Sequence, residues 1–333
     1  MAEKITNENY LYISAMLRAK EPKMLNSERI ERILSAASFK DAAQVAVECG
    51  YADMTAMSTS EIEDAIEARK VEILAELSRL VPEKALVEAF RLKYDYHNAK
   101  VLVKSMNLPY SAEELLSQAG RVKPERLSEA LSTDSYRFIP LKLGKAMQEA
   151  ADTLAKTGNP QLADLELDRM YTEELLELAE TLGEPEFALG YARMIIDTAN
   201  LRTLIRVQKM GRDADYLRTV LIDGGSVRTV RLSEEAGTDI LPELFRGTPL
   251  VAAAEAGAAV LEGGSLTVFE KACDDAMMHY LRDAKLCGYG NAVVIGYLTG
   301  METELMDLRM LMTGLKTGIS PETIRERLRE TYV

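Results

Sequence analysis

Tryptophan is absent from this chain of 333 residues, and histidine and cysteine are scarce, at two and three copies. Cys49, Cys273 and Cys287 are too widely spread for a disulfide framework and point to a reducing cytosol. His97 and His279 leave little for a metal. His279 follows Asp275 by four on one helix face, but no further Cys or His completes a ligand set. Long apolar runs are missing as well. The longest, Pro249 to Leu261 and Ala292 to Leu298, fall short of the ~20 residues that span a bilayer. The opening Met-Ala-Glu-Lys-Ile-Thr-Asn-Glu has neither the basic nor the apolar region of a signal peptide. Cations are outnumbered, 40 Lys and Arg against 53 Asp and Glu, and the net charge of −13 argues against a nucleic-acid or anionic-membrane surface. It suits solubility or a basic protein partner.

Signals for chemistry are equally thin. No Gly-x-Ser-x-Gly elbow is present, and no cysteine has a histidine partner in sequence. Thr313-Gly-Leu-Lys-Thr-Gly318 lacks phosphate-loop spacing and follows a helical pattern, so it reads as a helix stop. No cofactor and no small-molecule substrate is expected. Aromatics make up 6% of the chain, while apolar residues make up 47% and charged residues 28%. Abundant Ala, Leu, Glu and Met then favour helices over sheets, and no strand alternation stands out. The chain reads as all-α.

What is present is a repeat. Asp95-Tyr-His-Asn98-Ala-Lys100-Val-Leu102, Asp197-Thr-Ala-Asn200-Leu-Arg202-Thr-Leu204 and Glu304-Leu-Met-Asp307-Leu-Arg309-Met-Leu311 share one pattern. Each has an acid, then Asn or Asp three residues on, then a cation two beyond. From Asn98 to Asn200 to Asp307 the intervals are 102 and 107 residues. Ser111, Asp213 and Ser320 each stand 13 residues after the second polar position and open a new helical stretch. Ser14-Ala15, with Ser27 13 on, forms a worn fourth copy in which Met16 takes the cation position. Three helical modules follow, over 1–110, 111–212 and 213–333.

On a helix, Asp197, Asn200, Leu201, Leu204 and Gln208 share one face, and Arg202 and Arg206 lie opposite. Polar groups within an apolar stripe need partners, and the N–H groups at the start of a neighbouring helix supply them. Asp95, Asn98, Asp197, Asn200, Glu304 and Asp307 are therefore expected to be structural joints, with Lys100, Arg202 and Arg309 as repeat cations. A competing reading makes Asp95, Asp197 and Glu304 the acids of an α-helical hydrolase; another makes the chain a helical-repeat scaffold. Capping and periodicity place further helices over Tyr10–Lys20, Asn26–Leu34, Ser58–Leu80, Leu162–Leu182 and Leu266–Leu286. They also place helices at 111–118, at 124–131 and over Pro321–Tyr332.

The third copy with its surroundings, Gly296-Tyr297-Leu298, Lys316-Thr-Gly318 and Ile324-Arg-Glu-Arg-Leu-Arg-Glu-Thr-Tyr-Val333, resembles the end of the C subunit of V/A-type rotary ATPases, the counterpart of the d subunit of eukaryotic vacuolar ATPases. Asp197 to Gly211, and Tyr10-Leu-Tyr12 with Arg18-Ala19, agree with the same family. Met16, in place of an arginine, and Asn291-Ala292-Val293, in place of Glu-Pro-Val, depart from it. The resemblance implies three similar helical domains around a pseudo-three-fold axis, forming a funnel. It implies a non-catalytic rotor adaptor on the cytoplasmic face of the membrane. That adaptor would link the central stalk to the membrane rotor ring and pass torque between ATP hydrolysis or synthesis and proton or sodium translocation.

Overall fold

The computed structural model describes residues 5–106, 112–234 and 239–333, and among them every regular element is helical. In chain order the α-helices are α1 (Leu11–Lys20), α2 (Ser27–Leu34), α3 (Phe39–Glu48), α4 (Thr59–Leu80), α5 (Lys84–Ser105), α6 (Pro124–Thr133), α7 (Leu141–Thr157) and α8 (Pro160–Glu180). They continue with α9 (Glu186–Lys209), α10 (Ala214–Val220), α11 (Thr229–Glu234), α12 (Leu241–Leu244), α13 (Val251–Leu261), α14 (Leu266–Leu286), α15 (Asn291–Lys316) and α16 (Pro321–Arg325). Side-chain caps start many of them: Asn26, Ser38, Asn159, Asp213, Ser265 and Ser320 each accept a backbone N–H from the first turn. Asp213 and Ser320 are thus caps, Ser27 is the first helical residue behind its cap Asn26, and Ser111 lies outside the described residues. Gly158 closes α7 in the left-handed conformation, at φ 63°.

The chain divides into two compact units. One comprises 1–72 and 186–333; the other is 73–185, with α4 beginning in the first and ending in the second. In the second unit α5 packs against α6, α7 and α8, and α7 against α8. Leu143, Met147, Ala150 and Leu154 form the buried stripe of α7.

In the first unit α15 is the hub, packing against α1, α2, α3, α9, α14 and α16. Every residue from Asn291 to Met301 is buried, so this half of α15 is enclosed all round. Its second half joins α2, α3 and the start of α4 in one core around Ile33, Ala46, Ile62, Leu308 and Leu311. A separate core gathers Leu204, Phe245, Ala254 and Phe269 from α9, α13 and α14 and the turn after α12.

Two expected helices are shorter. The stretch at 111–118 yields only a single 3-10 turn, Glu113–Leu115, among the described residues. The last helix ends at Arg325 instead of running to Tyr332. Beyond it the amides of Arg329 and Glu330 donate to the side chains of Asp307 and Asp275, which compete with helical bonding.

Candidate functional site: the repeated polar clasps

The repeated acids and amides all lie inside. Asp95 and Asn98 are 0% exposed, Asp197, Asn200 and Asp307 1%, and Glu304 6%. Each is a polar group on the buried face of a long helix, so its partners decide whether the fold tolerates it.

On α5, Asp95 Oδ1 accepts the Val122 N–H at 3.0 Å, and Oδ2 accepts Arg121 Nε at 2.6 Å. Arg121 continues to Glu174 at 2.8 Å, which also takes the Tyr96 hydroxyl at 3.0 Å. One turn along, Asn98 holds Ser117 by both backbone groups, donating to its C=O and accepting its N–H, each at 2.8 Å. On α9 the arrangement recurs. Asp197 accepts from Ser226 N at 2.9 Å and Val227 N at 3.1 Å, and Asn200 clasps Ile222 at 2.7 and 2.9 Å. On α15, Glu304 accepts the Leu25 N–H at 3.0 Å and the Tyr51 hydroxyl, and Asp307 accepts the Arg329 N–H at 3.2 Å.

In all three the acid takes the N–H of an apolar residue two ahead of a helix: Val122 before α6, Val227 before α11, Leu25 before α2. The donors stand just outside the helix, and the first turn of α2 has a cap of its own in Asn26. Two glycines make the approach possible. A Cβ on Gly120 would lie 2.4 Å from Asp95 Oδ1, and one on Gly225 would lie 2.1 Å from Asp197 Oδ1. Gly120-Arg-Val122 and Gly225-Ser-Val227 are thus a second repeated motif, legible in the sequence as Gly-x-Val and overlooked there.

The repeat cations face the other way, each onto an acid of a long helix. Lys100 pairs with Asp168 of α8, Arg202 with Glu270 at 2.6 Å and Asp274 at 2.7 Å of α14, and Arg309 with Glu63 of α4 at 2.5 Å. His97 bonds the Leu115 carbonyl at 2.9 Å, and His279 faces Glu330 at 3.0 Å. Among the described residues no group of three or more His, Cys, Asp or Glu is placed to hold a metal ion.

The sequence model of the ATP synthase (C/AC39) subunit matches residues 13–327. The chain belongs to that family. Relatives in it include the A-type ATP synthase C subunit of Methanocaldococcus jannaschii, 24% identical across 96% of this chain and 86% of the relative. The V-type sodium ATPase C subunit of Enterococcus hirae is 23% identical across 97% and 99%, and the A-type ATP synthase C subunit of Methanosarcina mazei 25% across 98% and 94%. Likeness to these relatives therefore runs through all three clasps.

Electrostatics separates the clasps of this ATP synthase subunit. Burial raises all four acids' proton affinity. For Asp95 the Arg121 guanidinium and the Val122 N–H pull back, and for Asp197 the Val227 and Ser226 N–H groups do. In the third clasp burial pushes Glu304 up to about 7, against the Tyr51 and Leu25 bonds, and Asp307 also to about 7 against Arg329. No helix of the described residues is long and apolar enough to cross a membrane.

Proposed function

We propose that this protein is a non-catalytic adaptor in the central rotor of a V/A-type ATPase or ATP synthase, carrying torque between the central stalk and the membrane rotor ring. Family membership across residues 13–327 is the observation that carries this reading. The clasps support it physically: an element under torsion needs helices that do not slide, and buried two-point bonds between helix and loop resist sliding where apolar contact alone would let helices shift in register. The hydrolase reading finds no such support. The oxygens of Asp95, Asp197 and Glu304 are taken by protein donors.

The proposal includes three modules counted from the motif helices, set as a funnel about a pseudo-three-fold axis on the cytoplasmic face. They comprise α5 with α6–α8, α9 with α10–α14, and α15 with α16 and α2–α4. This counting shifts the module edges from 1–110, 111–212 and 213–333 to the starts of the motif helices. It is supported by the donors ahead of α6, α11 and α2, and by the cation partners on α8, α14 and α4. Purification of the rotary complex with and without this chain tests the function. With it, ring and stalk proteins co-purify and ATP turnover drives ion transport. Without it, ATP turnover persists and transport is lost. Full coupling in its absence would refute the adaptor role.

A further inference from the structure

The third clasp is built unlike the others. In the first, the backbone partners Ser117 and Val122 lie five residues apart on one loop, and in the second Ile222 and Val227 do the same. In the third they are Arg329 and Leu25, on segments far apart in sequence. A short loop holds both halves of a clasp together even when one bond breaks, and the third clasp has no such tether. Its second polar residue differs too. Asn98 and Asn200 donate and accept, whereas Asp307, among the described residues, accepts the Arg329 N–H and donates to no backbone carbonyl.

Arg329 lies in a non-helical segment, 326–333: its first three amides bond back to the carbonyls of Glu322, Ile324 and Arg325 and Leu328 packs into the core beside α15, and beyond them side chains fasten it. Lys271 donates to the Leu328 C=O at 2.6 Å, Arg329 Nε to Asp274 at 2.8 Å, and the Glu330 N–H to Asp275 at 2.8 Å. Glu330 also meets Arg282 at 2.9 Å and His279 at 3.0 Å. The Tyr332 side chain fills a notch in α15 at Gly296 and Gly300, where a Cβ would come within 2.7 Å of its hydroxyl and 2.5 Å of its ring. Its hydroxyl reaches toward Arg18 of α1 and Glu21 just after it. Such ties can be undone without unwinding α14 or α15.

We propose that residues 326–333 are a latch across α14 and α15 that opens as a local unit, parting Arg329 from Asp307 while the first two clasps stay closed. The latch goes beyond the rotor reading and does not rest on it. Its strength depends on pH through Asp307. The charged groups around that carboxyl are Arg329 on the latch and Lys271, Asp274 and Asp275 on α14, with Glu304 one turn away on α15. Glu304 in turn faces Arg29 of α2, Tyr51 and Cys49 after α3, and Arg69 of α4. Burial raises the proton affinity of Asp307 while the Arg329 N–H and guanidinium lower it, and burial prevails, so an opening that hydrates the carboxyl releases its proton in the ordinary range. Closure is therefore strongest in acid, weakens as pH rises to about 7, and is level above that.

Residue-resolved hydrogen exchange on the full chain tests this, after correction for intrinsic rates. The amides of Arg329 and Glu330 should be at least about tenfold less protected than those of Val122 and Val227, and should lose a further ~10-fold between pH 5.5 and 7.5. Asp307→Asn, which restores the amide found at 98 and 200, should abolish the pH effect. Tyr332→Ala should lower protection at 329 and 330 alone. Equal protection at all four amides, lost together at every pH, would overturn the latch. If Asp307→Asn does not fold, the pH series on the unaltered chain decides.

Discussion

A carboxylate within bonding distance of a main-chain N–H leaves no room for a methyl group on the neighbouring residue. Gly225 is that neighbour for Asp197. Gly225→Ala should cost about 2–4 kcal/mol in urea denaturation, because either the loop or a buried acid must move. Gly288→Ala, where nothing lies within 4 Å of the added carbon, should change stability by less than ~0.5 kcal/mol. Asn200 serves both main-chain groups of Ile222. Asn200→Ala should cost about 2–4 kcal/mol, and Asn200→Asp nearly as much, since the Ile222 carbonyl then loses its donor and a charge is buried. The same urea titrations rank the four variants. The acid and amide were legible in the sequence because helical period placed them in an apolar stripe three times over. Their partners were not, because the chain between Asp197 and Val227 runs through the rest of α9, through α10 and through loops whose path no local pattern specifies.

At the scale of an element, α15 shows where helical preference yields to packing. Alanine is the better helix former by about 1 kcal/mol, yet Gly300 sits against the Tyr332 ring. Gly300→Ala should therefore lower the melting temperature. In a double-mutant cycle Tyr332→Ala should relieve much of that loss, so the pair costs less than the sum of the singles; strict additivity would show that ring and glycine do not meet. Helix existence was legible nearly everywhere, from caps such as Asn26, Asp213 and Ser320. The exception after Arg325 is instructive. Ile324 to Val333 has a helical composition, but the carboxylates of Asp307 and Asp275, remote in sequence, claim its amides.

For the whole molecule, the buried acids set the sign of the pH dependence. Asp95, Asp197, Glu304 and Asp307 all hold their protons more tightly folded than unfolded. Stability should thus be greatest in mild acid, decline as pH rises from about 5 to 7, and level off once Glu304 and Asp307 are ionised. The decline should be on the order of 2 kcal/mol by urea denaturation, and Glu304→Gln with Asp307→Asn should flatten it. A profile rising over that range would contradict the account. The all-helical class and the family were legible from repeats that span the chain. The pairing of residue 25 with residue 304 was not, since no interval in the sequence announces it.

Asp274 lies between two guanidinium groups, bonding Arg202 through Oδ1 at 2.7 Å and Arg329 through Oδ2 at 2.8 Å. One belongs to the second motif copy and the other supplies an amide to the third. A single carboxylate is thus common to two copies, and drift at any of the three positions is felt by both others. Across related sequences, 202, 274 and 329 should vary as a trio, with swaps at one compensated at the remaining two.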